Sequence, residues 1–117
     1  MICRKFTATT FPIERCHDGT GRLLCTEMLA TDAKAGFRFV HDNVLEPGAS
    51  IGEHTHEGDE EMYVIIEGEG VMRVDGVDKR VASGDICVTR SGHSHSLANT
   101  GDTPMRILVV GVGIARV

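Results

Sequence analysis

From Arg22 onward the chain is a succession of short runs in which apolar residues cluster or alternate with polar ones, broken by Gly, Asp, Asn and Pro. A period of two places successive side chains on opposite faces of an extended strand, so this pattern predicts β-structure. Strands are expected over Arg22 to Leu29, Gly36 to Leu45, Ser50 to His56, Glu61 to Glu67, Gly70 to Val74, Lys79 to Val81, Asp85 to Thr89, His95 to Asn99 and Met105 to Val112. Each run is too short to argue for a helix. Turns are expected at Glu46-Pro47-Gly48, Glu67-Gly68-Glu69-Gly70, Asp75-Gly76, Ser83-Gly84-Asp85 and Asn99-Thr100-Gly101-Asp102. Gly and Asn tolerate positive φ there, and Pro presets the first turn position. Many short strands at this spacing predict an all-β architecture of two packed sheets, with little room for helices. Residues 1–21 are less regular. Phe6, Phe11, Pro12 and Ile13 stand among polar neighbours, which suits an edge strand or an arm exchanged between copies. His17-Asp18-Gly19-Thr20-Gly21 reads as a loop leading into the first core strand.

Composition narrows the class of protein. At 117 residues, with 41% hydrophobic and 25% charged residues, the chain has the size and balance of one soluble domain that buries its own core. The net charge of −5 and the scattered Lys and Arg argue against a nucleic-acid partner, which needs a clustered basic surface. No apolar run reaches the length of a membrane span, and the opening Met-Ile-Cys-Arg-Lys-Phe lacks an apolar signal core. A cytoplasmic protein without a membrane partner is expected. Cys3, Cys16, Cys25 and Cys87 form no C-x-x-C pair, which argues against a zinc knuckle or a thioredoxin-like motif. In a reducing compartment they are expected as free thiols.

The candidate chemistry lies in the middle of the chain. His54 and His56 are related as i and i+2, so a strand lining a barrel interior would send both imidazoles into one cavity. A turn at Glu57-Gly58-Asp59 follows, and a hairpin there returns Glu60 or Glu61 to the side of the histidine pair. His95 opens a later strand and is the fourth candidate donor. Three imidazoles and a carboxylate form a mixed donor set suited to one divalent transition metal (Mn, Fe, Co, Ni or Zn), whereas Ca or Mg prefers oxygen alone.

These residues carry a resemblance to the cupin superfamily. Its first motif, G-x5-H-x-H-x(3,4)-E-x6-G, is matched by Gly48, His54, His56, Glu61 and Gly68. Its second, G-x5-P-x-G-x2-H-x3-N, is matched by Gly84, Gly92, His95 and Asn99, with Arg90 where the family usually has proline. The two matches span 48–68 and 84–99, about half the chain. The resemblance implies a double-stranded β-helix, or jelly-roll, barrel holding a metal through His54, His56, Glu61 and His95, and it selects Glu61 over Glu60. Arg90 puts the geometry of the barrel mouth in question.

Other residues carry two readings each. Tyr63 shares parity with Glu61 and either orients a substrate inside the barrel or is a satisfied core tyrosine. His93 is a candidate catalytic group beside His95 or a solvated loop residue, and His41, in parity with Phe37 and Phe39, lines the cavity or is exposed. Arg73 meets an anionic ligand or pairs on the surface, and Cys87 packs or lies near the metal. The residues permit a metal-dependent enzyme acting on a small polar or carboxylate metabolite, with Tyr63, His93 and His41 as candidate catalytic residues. The alternative to that first reading is a non-catalytic domain that binds or senses a small molecule, and a third is a purely structural metal. A homodimer is a further expectation from the resemblance.

Overall fold

The structure, a computed structural model, describes residues 1–115. Ten strands follow one another: β1 (Thr9–Glu14), β2 (Arg22–Ala30), β3 (Gly36–Leu45), β4 (Ser50–Thr55), β5 (Asp59–Glu67), β6 (Glu69–Val74), β7 (Val77–Ala82), β8 (Ile86–Thr89), β9 (Ser94–Asn99) and β10 (Met105–Gly113). Two 3-10 turns, Lys5–Thr7 and Cys16–Asp18, are the helical pieces among the described residues. Six strands form one antiparallel sheet in the order β1-β2-β3-β10-β5-β8, and four form a second, β4-β9-β6-β7. Among the described residues no helix is long and apolar enough to cross a membrane.

Directly opposed residues of antiparallel strands share a face, so the register identifies the residues that point into the barrel. On the large sheet one inward row runs Cys87, Tyr63, Val109, His41 and Glu27 across β8, β5, β10, β3 and β2. On the small sheet Ile51, Leu97 and Met72 form one inward row, and His54, His95 and Val74 the next. Strand β10 shows the consequence in its burial, which alternates strictly from Met105 to Gly113. Leu23, Leu45, Ile51, Tyr63, Ile65, Leu97 and Ile107 meet between the sheets as the core. At about 25 cal/mol per Å² this interlocked apolar area is the main term holding the sheets together.

Strand positions follow the alternation closely, with differences at the ends. Strand β5 starts at Asp59 because Asp59 pairs with Gly113, lengthening the β5–β10 ladder by two residues before the expected start at Glu61. Strand β4 ends at Thr55, and His56 is held by its N–H donating to the His93 carbonyl at 3.2 Å. The shared parity expected for Phe37 and Phe39 fails. A register shift between Gly111 and Val112 turns Phe37 to the outside, where it is exposed, while Phe39 stays within and stacks on His41. At the N-terminus β1 pairs along β2 as an edge strand.

Candidate metal centre

His54, His56, Glu61 and His95 converge inside the barrel, with one ligand atom from each lying within 4.8 Å of all the others. His54 and His95 are cross-strand partners on β4 and β9, and His56 follows at the end of β4. Glu61 comes from the facing sheet, opposite Gly111 on β10, whose bare Cα makes room for the Phe39 ring. His95 Nε2 is 3.0 Å from Nε2 of both His54 and His56. Glu61 Oε1 lies 3.0 Å from His95 Nε2, 3.3 Å from His56 Nε2 and 4.0 Å from His54 Nε2.

The other ring nitrogens explain why these atoms face inward. His54 Nδ1 is 2.8 Å from the Gly52 carbonyl and His56 Nδ1 is 3.1 Å from Asp59 Oδ1, acceptors that require each Nδ1 to carry its proton. His95 Nδ1 is 2.7 Å from the Thr89 hydroxyl, which can accept in the same way. Thr89 is buried and stands directly opposite Glu61 on β8. With Nδ1 protonated, each neutral imidazole turns a lone pair toward the centre, the tautomer that suits a metal ligand. Burial lowers the His54 pKa to about 4, so that ring is neutral near pH 7. Burial acts to raise the Glu61 pKa, and protons carried by the facing His95, His56 and His54 rings would more than offset it and hold the carboxyl below its ordinary value, the part that a cation at this point plays when the rings are neutral.

The arrangement leaves one conspicuous deficit. Glu61 Oε1 is buried without a hydrogen-bond partner, although three imidazole nitrogens surround it. Buried acceptors are nearly always satisfied. Four lone-pair atoms facing one another have no proton to share, and a cation among them removes the conflict. The residues present therefore fit a divalent ion.

Neighbouring positions separate clearly. Glu60 faces outward and accepts from Arg90 Nη1 at 3.3 Å, so the carboxylate turned inward is Glu61. Arg90, in place of proline, leaves the turn closed: His93 N–H donates to the Arg90 carbonyl at 3.2 Å and Gly92 N–H to the His56 carbonyl at 2.6 Å. Asn99 holds a second junction, donating from Nδ2 to the Leu45 carbonyl at 3.1 Å and the Thr103 carbonyl at 2.9 Å.

Of the three candidate catalytic residues, the structure brings only Tyr63 to the centre. Its hydroxyl is 3.5 Å from His95 Nε2, and burial followed by the Glu61 charge pushes its pKa well above the usual phenol value. His41 points into the barrel one row away, 3.8 Å from Glu27. Its pKa is lowered by burial, against the raising influence of Glu27 and Glu61. His93 is on the outside, 2.5 Å from Asp75. Arg73 also lies outside and pairs with Asp78 at 2.7 Å. Cys87 sits inward beside Tyr63, and all four cysteines are free.

His17 belongs to the same neighbourhood, which its place in a turn-forming stretch does not suggest. Its imidazole stacks on that of His54 with centroids 3.7 Å apart and planes 12° from parallel. No short-range pattern joins the two residues. The one hint is the pair Gly19 and Gly52, at both of which an added Cβ would collide with backbone of the other segment.

Comparison with known proteins agrees with this architecture. The Cupin domain family model matches residues 43–111. An oxalate-binding protein of Thermotoga maritima is 38% identical over 111 residues, 94% of this chain and 92% of that one. The crystal structure of a predicted oxalate decarboxylase from Thermotoga maritima superposes with a TM-score of 0.89 at 37% identity, covering 97% of this chain and 100% of that one. The structure of KdgF from Halomonas sp. has a TM-score of 0.79 at 12% identity over 98% of this chain and 94% of its own, a likeness of fold alone. With both motifs in place on a two-sheet barrel, the chain belongs to the cupin family.

Proposed function

We propose that this protein holds one divalent transition metal ion through Nε2 of His54, His56 and His95 and Oε1 of Glu61, and uses it to bind a short carboxylate anion. The observation that carries this reading is the unpartnered, buried Glu61 Oε1 among three imidazole nitrogens. Imidazole and carboxylate together favour Mn, Fe, Co, Ni or Zn. Such an ion, when bound, supplies Lewis-acid attraction for an anionic oxygen ligand. Tyr63, protonated at neutral pH, is the neutral donor placed to hydrogen-bond a guest at the centre. The carboxylate class is supported by the 38%-identical relative, which is an oxalate-binding protein. Elemental analysis of protein purified without added metal, followed by calorimetric titration with oxalate before and after chelator treatment, tests the proposal. Oxalate binding that is lost with the metal is the expected result. Protein that takes up no divalent ion refutes it.

A second reading, turnover of the bound anion, is favoured by the same phenol, a proton-bearing group beside a ligand nitrogen. Carbon-13 NMR of labelled oxalate incubated with metal-loaded protein distinguishes the two, since a binding protein returns it unchanged. We also place a homodimer contact on the outer face of the large sheet, where Phe37 is 64%, Ile86 60% and Val88 47% exposed. Sedimentation tests that contact, and a monomer at micromolar concentration argues against it. The four free thiols fit the reducing cytoplasm.

A further inference from the structure

We propose that His17 is a positioning residue for the metal centre: its ring, stacked face to face on His54, fixes the plane in which His54 presents Nε2. This rests on the metal-binding reading above. His17 is not aimed inward as a fifth donor. A ring lying nearly parallel to His54, at 3.7 Å and 12°, runs alongside it, and the converging donor atoms are those of the other four residues.

The loop that carries His17 is built to hold this position. Four non-glycine residues among those described have positive φ, and three of them, Arg15, His17 and Asp18, fall in this one short turn. L-residues avoid that conformation and keep it only where surrounding structure enforces it. The enforcement is visible. Ser50 N–H donates to the Thr20 carbonyl at 2.8 Å, Thr20 N–H donates to Ser50 Oγ at 2.9 Å, and the two hydroxyls meet at 3.0 Å. The backbones approach so closely that a Cβ on Gly52 would collide with the His17 carbonyl, and one on Gly19 with the Ser50 carbonyl.

Gly52 links the two halves of the device. Its carbonyl accepts from His54 Nδ1 at 2.8 Å, while its bare Cα admits the loop. The His54 ring is thus pinned at one edge by Gly52 and across one face by His17. His56 and His95 have different anchors, Asp59 and Thr89, on their Nδ1 atoms. Groups that orient a metal-bound histidine typically change metal affinity about 10–100-fold when removed. A stacked ring, lacking a hydrogen bond to the ligand, belongs near the low end of that range.

The test compares His17→Asn with His17→Phe in the full chain. Asparagine removes the ring and tolerates positive φ, so the turn survives, whereas phenylalanine keeps the stacking face and discards both nitrogens. Chelator-stripped proteins are titrated with Co2+ and their visible absorption recorded, with the melting temperature of each metal-free variant measured alongside. The expected result is about tenfold weaker Co2+ affinity and an altered spectrum for H17N, with H17F within about twofold of wild type. Wild-type affinity and spectrum in H17N overturn the proposal, as does equal loss in H17N and H17F, which would show that a stacking ring at this position is not what the site requires. A spectrum unchanged in H17N with only the metal-free melting temperature lowered overturns it too, by making the ring structural. Wild-type protein that fails to take up Co2+ overturns the metal reading itself, so the two failures are distinct.

Discussion

Removing the carboxylate behind His56 is expected to weaken metal binding without disturbing any proposed ligand. Asp59 Oδ1 accepts from His56 Nδ1 at 3.1 Å, which sets both the tautomer and the plane of the ring. Asp59→Ala deletes that acceptor and leaves all four ligand atoms in the protein. Loss of such a partner costs about 10–100-fold in affinity, equivalent to about 1.4–2.7 kcal/mol. Binding to the native state alone stabilises it by mass action, so the same energy appears in thermal unfolding under saturating metal. For 117 residues, at about 2.1 cal/mol/K of unfolding entropy per residue, each kcal/mol moves Tm by about 4 °C. The metal-dependent part of the Tm is therefore expected to shrink by about 6–11 °C at a fixed, saturating concentration of Zn2+ or Mn2+. The Tm of the stripped variant must be subtracted, because Asp59 also pairs with the partly exposed Arg38 at 3.5 Å, a contact worth about 0–1 kcal/mol. Asp59→Asn provides a graded control, since its amide oxygen can still accept from Nδ1, and a smaller loss is expected. The assay is paired calorimetric scanning and metal titration of stripped protein. If wild type binds metal and Asp59→Ala binds it within twofold as tightly, the orienting role assigned to Asp59 is wrong.

Ile107→Ala empties a fully buried site between the two sheets, and chemical denaturation should register a loss of about 2–5 kcal/mol. Cys3 is exposed, while Cys25 is buried with its pKa raised by burial to about 11, so at pH 8 a maleimide should label Cys3 quickly and Cys25 only after unfolding. Mass spectrometry of the labelled peptides checks this, and rapid native labelling of Cys25 contradicts the packing. Asp42 is buried between Arg106 at 2.8 Å and Lys5 at 2.9 Å, and its pKa is lowered, chiefly by the Arg106 hydrogen bonds. A lowered native pKa means that this stabilisation is complete above the unfolded value of about 3.9 and is lost as pH falls through the native one. Asp42→Asn should therefore flatten the decline in stability between about pH 4 and pH 2. An unchanged acid limb by circular dichroism would remove Asp42 from that role.

How much of the centre could be read along the chain depends on how each contact is made. His54 and His56 were legible as a pair because a strand repeats every two residues, and the alternation of β4 carries on one residue past its end to His56 despite the irregularity between Ile51 and His54. Choosing Glu61 over Glu60 needed the longer motif, since a hairpin alone permits either, and the outward ion pair of Glu60 with Arg90 shows why only one turns in. Parity then failed at Phe37, where a bulge inserted an extra residue and inverted the faces, a local event with no signature in apolar spacing. His93 misleads for a related reason. It lies two residues before His95, but it precedes β9, so the strand's alternation does not govern it and it turns out to Asp75. His17 is the extreme case: its contact with His54 closes across thirty-seven positions of chain and depends on left-handed backbone at His17 and on the bare Cα of Gly52. Periodicity reports which face a residue occupies within its own element. It carries no information about which loop folds back over that face, and here the loop between β1 and β2 returns to cover one side of His54.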